Sequence, residues 1–277
     1  MFVKVCGLQR EIVPFNKSTS AAFKRASFGR LLGVFLTGAA LSCRAEEPSA
    51  TPYRPSVSSP ASLSAPGNIE LEGGYLSTRP SDGARRDSAL YLLKYAFSDR
   101  FGLLLGGEAF VSDANATGER THGPGDTSLT AKFRFPLGEG DTPALGLEAG
   151  VKLPTAKRGL GSDERDYTIN GILSVDPGDF HSDVNLNVTQ LGAVEPRQGR
   201  ELYGWAASVS HPLFGNAGWV AEFSGTTQHN VARTVQFLAG VSYNVSRKLV
   251  LDAGAARGLN SDSPRWQLFT GFTLLVD

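Results

Sequence analysis

The groups in this chain that could do chemistry are charged side chains, and they recur on one parity of alternating runs. Glu70, Glu72, Glu108, Glu148, Asp166, Asp183, Glu222 and Asp252 fall on that parity, together with Lys94, Lys132, Arg134 and Lys152. Such groups can neutralise one another, or they can line a water-filled passage and select solutes by charge. His181, two residues before Asp183, has the residue types needed for acid–base work. A histidine on a polar wall is more often a hydrogen-bonding residue, and no serine stands with this one to complete a nucleophilic set. Spacings typical of metal ligands, phosphate loops or nucleotide motifs are missing. The loop acids Asp113, Asp163, Glu164 and Asp262 could hold divalent ions or bridge to lipopolysaccharide, but read more simply as solvated loop residues. No cofactor, metal or catalytic residue is therefore expected, and the chain does not read as an enzyme. Basic and acidic residues balance at 27 each, which removes the electrostatic case for a nucleic-acid partner.

The elements that carry these charges are strands. In GDTSLTAKFRFPL, Thr127, Leu129, Ala131, Phe133, Phe135 and Leu137 alternate with Asp126, Ser128, Thr130, Lys132 and Arg134. A period of two puts unlike residues on opposite faces of a strand. The same alternation predicts strands at 68–78, 86–97, 101–111, 125–136, 143–154, 164–176, 179–191, 201–213, 217–228, 232–245, 248–257 and 265–276. Leu90, Leu92, Phe269 and Leu275 interrupt it. These strands are longer than the globular norm of about five or six residues and match the roughly 9–11 needed to cross a bilayer at a tilt. Tight links such as Ser98-Asp99-Arg100 and Pro177-Gly178 alternate with longer polar ones such as Ser112 to Pro124. Short turns at one end and long loops at the other are the habit of outer-membrane barrels.

Aromatic residues test the same idea. On the apolar parity, Tyr95, Phe97, Phe133, Phe135, Trp219 and Tyr243 lie toward the short turns, and Tyr167, Tyr203, Trp205 and Trp266 toward the long loops. Two aromatic belts suit the two membrane interfaces, whereas a soluble sandwich would bury its rings mid-core. The expected fold is an all-β, transmembrane, antiparallel up-and-down barrel of about twelve strands over 68–277. Its apolar face meets lipid, and its charges line the lumen. Lys132 and Arg134 are expected near Glu148, and Lys152 near Asp166. The pore-lining set is read as Glu108, Lys132, Arg134, Glu148, Lys152, Asp166, His181, Asp183 and Glu222.

Before the strands, Lys17, Lys24, Arg25 and Arg30 precede the apolar run Leu31 to Leu41 and the sequence Ser42-Cys43-Arg44-Ala45. This reads as a signal peptide over 1–45, with an over-long start, cleavage after Ala45 and export through the Sec pathway. Both cysteines, Cys6 and Cys43, would leave with it. Residues 46–67 are rich in Pro, Ser and Ala and read as a flexible linker.

GPGDTSLTAKFRF, with Gly123, Gly125, Asp126 and Lys132, resembles the Gly-Asp strand opening of the outer-membrane "MetA-pathway of phenol degradation" family. LGLEAGVKLPTAKRGLGSDERDYTINGILS, Leu145 to Ser174, is similar to the hairpin that follows in that family, with its Lys-Leu-Pro-Thr exit. The resemblance implies a transporter in the outer membrane of a Gram-negative bacterium, passing a small organic solute of aromatic or hydrophobic character. Its implied partners are outer-membrane lipids, lipopolysaccharide, the barrel-assembly machinery and the solute. The chain departs from the usual pattern at Phe272-Thr273-Leu274-Leu275-Val276-Asp277, which does not end on an aromatic residue. Two other readings stay open: a non-conducting structural or adhesive barrel, and an outer-membrane hydrolase. The lumen charges could likewise be a network filling a narrow barrel rather than a selective constriction.

Overall fold

The computed structural model describes residues 47–277 apart from Ser81, Glu139, Asp141 and Asp277. The expected signal peptide lies outside the described residues. Thirteen strands follow in order: β1 (Ile69–Arg79), β2 (Arg85–Ala96), β3 (Phe101–Ala114), β4 (Arg120–Gly123), β5 (Thr127–Pro136), β6 (Ala144–Leu153), β7 (Asp166–Val175), β8 (His181–Gln190), β9 (Glu201–Pro212), β10 (Ala217–Gln228), β11 (Val231–Asn244), β12 (Leu249–Gly258) and β13 (Trp266–Val276). All pairings are antiparallel between neighbours, and β1 pairs with both β2 and β13, so the sheet closes on itself. Twelve strands make the cylinder. The remaining one, β4, pairs only with the end of β3, from Val111 to Ala114. It falls in a stretch expected to be loop. β4 and β5 thus share β3 as a partner and are separated by Pro124, which cannot donate to the ladder.

Burial is inverted relative to a water-soluble protein. Leu186 is 66% exposed and Ile169 56%, while Lys94 and Lys132 are wholly buried. In water, exposing rows of Leu, Ile, Val and Phe would forfeit about 25 cal/mol for each Å² of apolar surface. Against hydrocarbon those rows cost nothing, and a closed ladder leaves no backbone group unpaired at an edge. The alternation read from the sequence therefore sorts lipid-facing from lumen-facing side chains.

The residues that broke the pattern face inward. Phe269 packs in the lumen with Val220, Leu238 and Ala256, and Leu76 lies against them. Leu92, opposite Glu72 on β1 and Gly106 on β3, is also on the inner face. A register shift between Ala89 and Leu90 locally alters the alternation of β2.

Residues 47–67 do not hang outside the barrel as a linker would. The segment starts and ends at the short-turn mouth, where the Ala50 N–H donates to the Arg247 carbonyl and the Gly67 N–H to that of Ala96. Between these points it runs up into the lumen and back without regular secondary structure. Tyr53, Ser58, Ala61 and Ser64 on it are buried. An irregular buried segment must find partners for its amides. Pro48, Pro52, Pro55, Pro60 and Pro66 reduce that demand because proline has no N–H. The composition that suggested a linker thus also suits a chain buried away from water.

Candidate functional site: the lumen and the segment within it

The inner wall of the barrel is shaped to hold this segment. Its free amides are met by wall side chains. Thr51 N–H donates to Glu70, Tyr53 N–H to Glu72, Ser58 N–H to Glu222, Ser59 N–H to Asn185 and Ala61 N–H to Ser174, at 2.7–3.0 Å. Arg54 forms a two-point bond with Asp252 at 3.1 and 3.2 Å. Small wall residues leave the space. A Cβ added at Gly74 would lie 2.5 Å from the Arg54 guanidinium carbon, and one at Gly240 would lie 2.7 Å from Pro55 Cγ. Gly146 and Gly271 similarly face Ala61 and Arg54.

Two lysines clamp the middle. Lys94 on β2 donates to the Thr51 carbonyl at 2.6 Å and pairs with Glu72 at 2.6 Å and with Glu70. Lys132 on β5 donates to the Pro60 carbonyl at 2.6 Å and pairs with Glu148 at 2.9 Å. Both ammonium groups sit over the Tyr53 ring, at 3.9 and 4.0 Å from its centroid. A desolvated cation over an aromatic face is attracted by the ring quadrupole. The Tyr53 hydroxyl donates to the Ser62 carbonyl, tying the ascending limb to the descending one.

The charged residues expected in the lumen separate into three groups. Lys132, Glu148 and Glu222 hold the segment or its clamp. Glu108, Lys152 and Asp166 lie toward the long loops. There Arg86 bonds Glu108 at 2.6 Å and Asp113 at 3.2 Å, and Lys152 bonds Asp166 at 2.8 Å and Asp126 at 3.3 Å. The loop after β6 is drawn toward this network, since Asp126 accepts the N–H groups of Thr155 and Ala156. Arg134, His181 and Asp183 lie toward the short turns. Arg134 was expected near Glu148. It instead donates to the Gly140 carbonyl, because the register sets Gly146 opposite it and Glu148 opposite Lys132. His181 lies between Asp176, at 2.6 Å, and Asp183, at 3.1 Å, and Asp183 also accepts from Ser174. The serine thus bonds the carboxylate and not the imidazole, which is the wrong order for a nucleophilic relay. Asp176 lies in the turn between β7 and β8. Burial pushes its carboxyl up, but hydrogen bonds from Thr142 and His181 outweigh this and hold it below the usual range.

The aromatic residues follow two rims of the outer face. Tyr95, Phe97, Phe101 and Phe133 form a continuous series of ring contacts 4.8–5.5 Å apart near the short turns. Phe135 and Tyr243 are exposed at the same end, and Trp219 meets Phe180 there. Tyr167, Tyr203, Trp205 and Trp266 are exposed toward the long loops.

Space remains on both sides of the inserted segment. At the short-turn mouth a cavity of about 490 Å³ is bounded by Ser62, Leu63, Arg134, Asp176 and His181. On the other side, Tyr53 and Val57 border one of about 480 Å³ with Leu90, Leu92, Gly106 and Glu108. Tyr53, Arg54 and Ser58 were missed by sequence reading. The signals that could have found them were glycines on the inward parity of the strands and a lone tyrosine in a stretch with five prolines.

A closed antiparallel cylinder with lipid-facing apolar rows and an enclosed polar interior is an outer-membrane β-barrel. The chain belongs to the family described as MetA-pathway of phenol degradation, which matches residues 54–276 and so takes in most of the inserted segment as well as the barrel. Among solved structures, an outer membrane channel from Pseudomonas putida F1 is similar at 17% identity and a TM-score of 0.61, over 78% of this chain and 98% of that one. The KdgM porin, at 11% identity and a TM-score of 0.49, covers 75% of this chain and 99% of its own. The NanC porin gives 11% identity and 0.49, over 74% and 98%. No match was found among curated protein sequences.

Proposed function

We propose that this barrel is a narrow passage for a small organic solute across the outer membrane, with residues 47–67 as the constriction. The observation that carries this reading is lumen space of about 490 and 480 Å³ on the two sides of a single irregular segment. A barrel filled only for stability would need no such space, since small barrels close their interiors with side chains. Leu90, Leu92 and the cluster around Phe269 give part of the inner wall an apolar surface, which supports a solute with an aromatic or hydrophobic face. Lys152 and Asp166 would then act on solute charge directly, and the buried Lys132–Glu148 pair through the field it sets and the segment it holds, with no covalent step. Kinship with a family named for phenol degradation agrees with an organic cargo.

Planar-bilayer recording on the refolded full chain tests this. Discrete current steps that respond to added aromatic solute are expected. Folded barrels that insert and carry no current would favour the other reading, a non-conducting barrel, for which the dense bonding of the segment to its wall is the supporting observation.

A further inference from the structure

Across the lumen from Leu92, between β7 and β11, lies another cavity of about 360 Å³. Elsewhere the inner wall carries ion pairs between neighbouring strands, such as Lys132–Glu148 and Lys152–Asp166, yet the lining of this cavity has no charged side chain. Its polar groups are amides and hydroxyls, from Asn170, Asn187, Ser224, Thr226, Thr234 and Gln236. Several of them are unspent. Asn170 is 8% exposed and gives its Nδ2 to Glu148 and Asn185, which leaves Oδ1 buried without a donor. Gln236 gives its Nε2 to Ser224 at 3.1 Å, and among the described residues no donor reaches its Oε1. The Asn187 amide makes no hydrogen bond with any described residue, and it folds over Gly204, where a Cβ would come 2.5 Å from its Oδ1. Val57, Ala206 and Pro264 add apolar surface to the lining, which also takes in Asn185, Gly204, Trp205 and Gly225.

The Asn187 amide offers a donor and an acceptor side by side, Asn170 and Gln236 add acceptor oxygens, and a hydroxyl is the neutral ligand group that uses both kinds. A charged ligand would lose hydration here and find no counter-charge in the lining. We propose that this cavity is a binding subsite for an uncharged, polyhydroxylated solute of the sugar or polyol class. As a station on a path it rests on the passage reading above and extends the cargo from a solute with an apolar face to a neutral hydroxylated one, and as a binding site it can be tested apart from it.

The test is saturation-transfer NMR on the refolded full chain in detergent, with glucose, gluconate and glucosamine as probes. These share a carbon skeleton and differ in charge. Glucose is expected to bind in the millimolar range, with the two charged probes at least about tenfold weaker. Asn187→Ala and Gln236→Ala should each weaken glucose binding roughly three- to tenfold, as the loss of a neutral hydrogen bond does. Arg158→Ala, in the loop after β6, should leave it unchanged. If Asn187→Ala does not fold, Gln236→Leu and Thr234→Val carry the same comparison. No glucose binding, equal binding of all three probes, or undiminished binding by folded variants would overturn the subsite. Current without glucose binding refutes the subsite and leaves the passage standing. Glucose binding without current upholds the subsite and refutes the passage.

Discussion

The ammonium group of Lys132 lies 4.0 Å from the centre of the Tyr53 ring, so a barrel strand and the segment inside the barrel are joined through a buried cation and an aromatic face. Lys94 makes the matching contact at 3.9 Å. The segment is held by its centre as well as by its ends, and its removal should change the lumen without unpairing any strand.

Deletion of residues 47–62 is therefore expected to raise single-channel conductance several-fold while the barrel still folds. Planar-bilayer recording beside heat-modified gel migration checks this. Unchanged conductance would take the segment out of the solute path.

A bulky residue where the wall is hollow should act in the same direction. Gly74→Val places atoms where the Arg54 guanidinium now sits, 2.5 Å from the site of the new Cβ. Valine suits a strand, so β1 should survive while the segment is pushed out. The expected result is conductance close to that of the deletion, and a crosslink between cysteines placed at Ser58 and Ser208 should fail to form. These two hydroxyls are 2.9 Å apart in the parent.

Breaking the buried pair from one side should be costly. Lys132→Met leaves Glu148 without its cation and is expected to cost about 3–5 kcal/mol, as for other buried pairs that lose one partner. Lys132→Met with Glu148→Gln should recover most of that. Urea unfolding in lipid vesicles measures both. In bilayers, Glu148→Gln alone should shift ion preference toward anions, and an unchanged preference would return Glu148 to a packing role.

Asp176 should confer a pH dependence at the short-turn mouth. Its carboxyl is held below the usual range by Thr142 and His181 despite the opposing effect of burial. A depressed folded-state pKa stabilises fully above the unfolded value of about 3.9, and the contribution fades as pH falls through the lower folded value. Hydrogen exchange at Thr142 and in residues 178–180, measured against the intrinsic rate at each pH, should lose protection over that acid window, and Asp176→Asn should remove the dependence.

The chain has three tryptophans, and all are on the outer face near a rim. Quenchers attached to lipid near the headgroup should dim Trp205, Trp219 and Trp266 more than quenchers at the bilayer centre. Stronger quenching from the centre would displace the membrane boundary from these rims.

Much of the strand architecture was legible because a strand has a period of two and two solvents that differ in kind. That period alone sorted Leu129 from Lys132 and Leu147 from Glu148, and strand length pointed to a bilayer. The charge pairs Lys132–Glu148 and Lys152–Asp166 followed from adjacent strands and short turns, because register converts sequence distance into opposition. Arg134 escaped the same reasoning, since a side chain that long can reach down its strand as easily as across. β4 escaped it because four residues are too few to display a period.

The fate of residues 47–67 was decided by the tertiary structure. Locally they have neither apolar periodicity nor ladder partners, so apart from the lone Tyr53 their own sequence reads alike for a tether in water and for a segment buried in a barrel. The difference lies in groups contributed by distant strands: Glu70, Glu72, Glu222 and Asn185 to accept its amides, Lys94 and Lys132 to hold its carbonyls, and glycines to give it room. The sequence by itself determined the closed cylinder, because alternation is local. What fills the cylinder depended on side chains brought together only once it had closed.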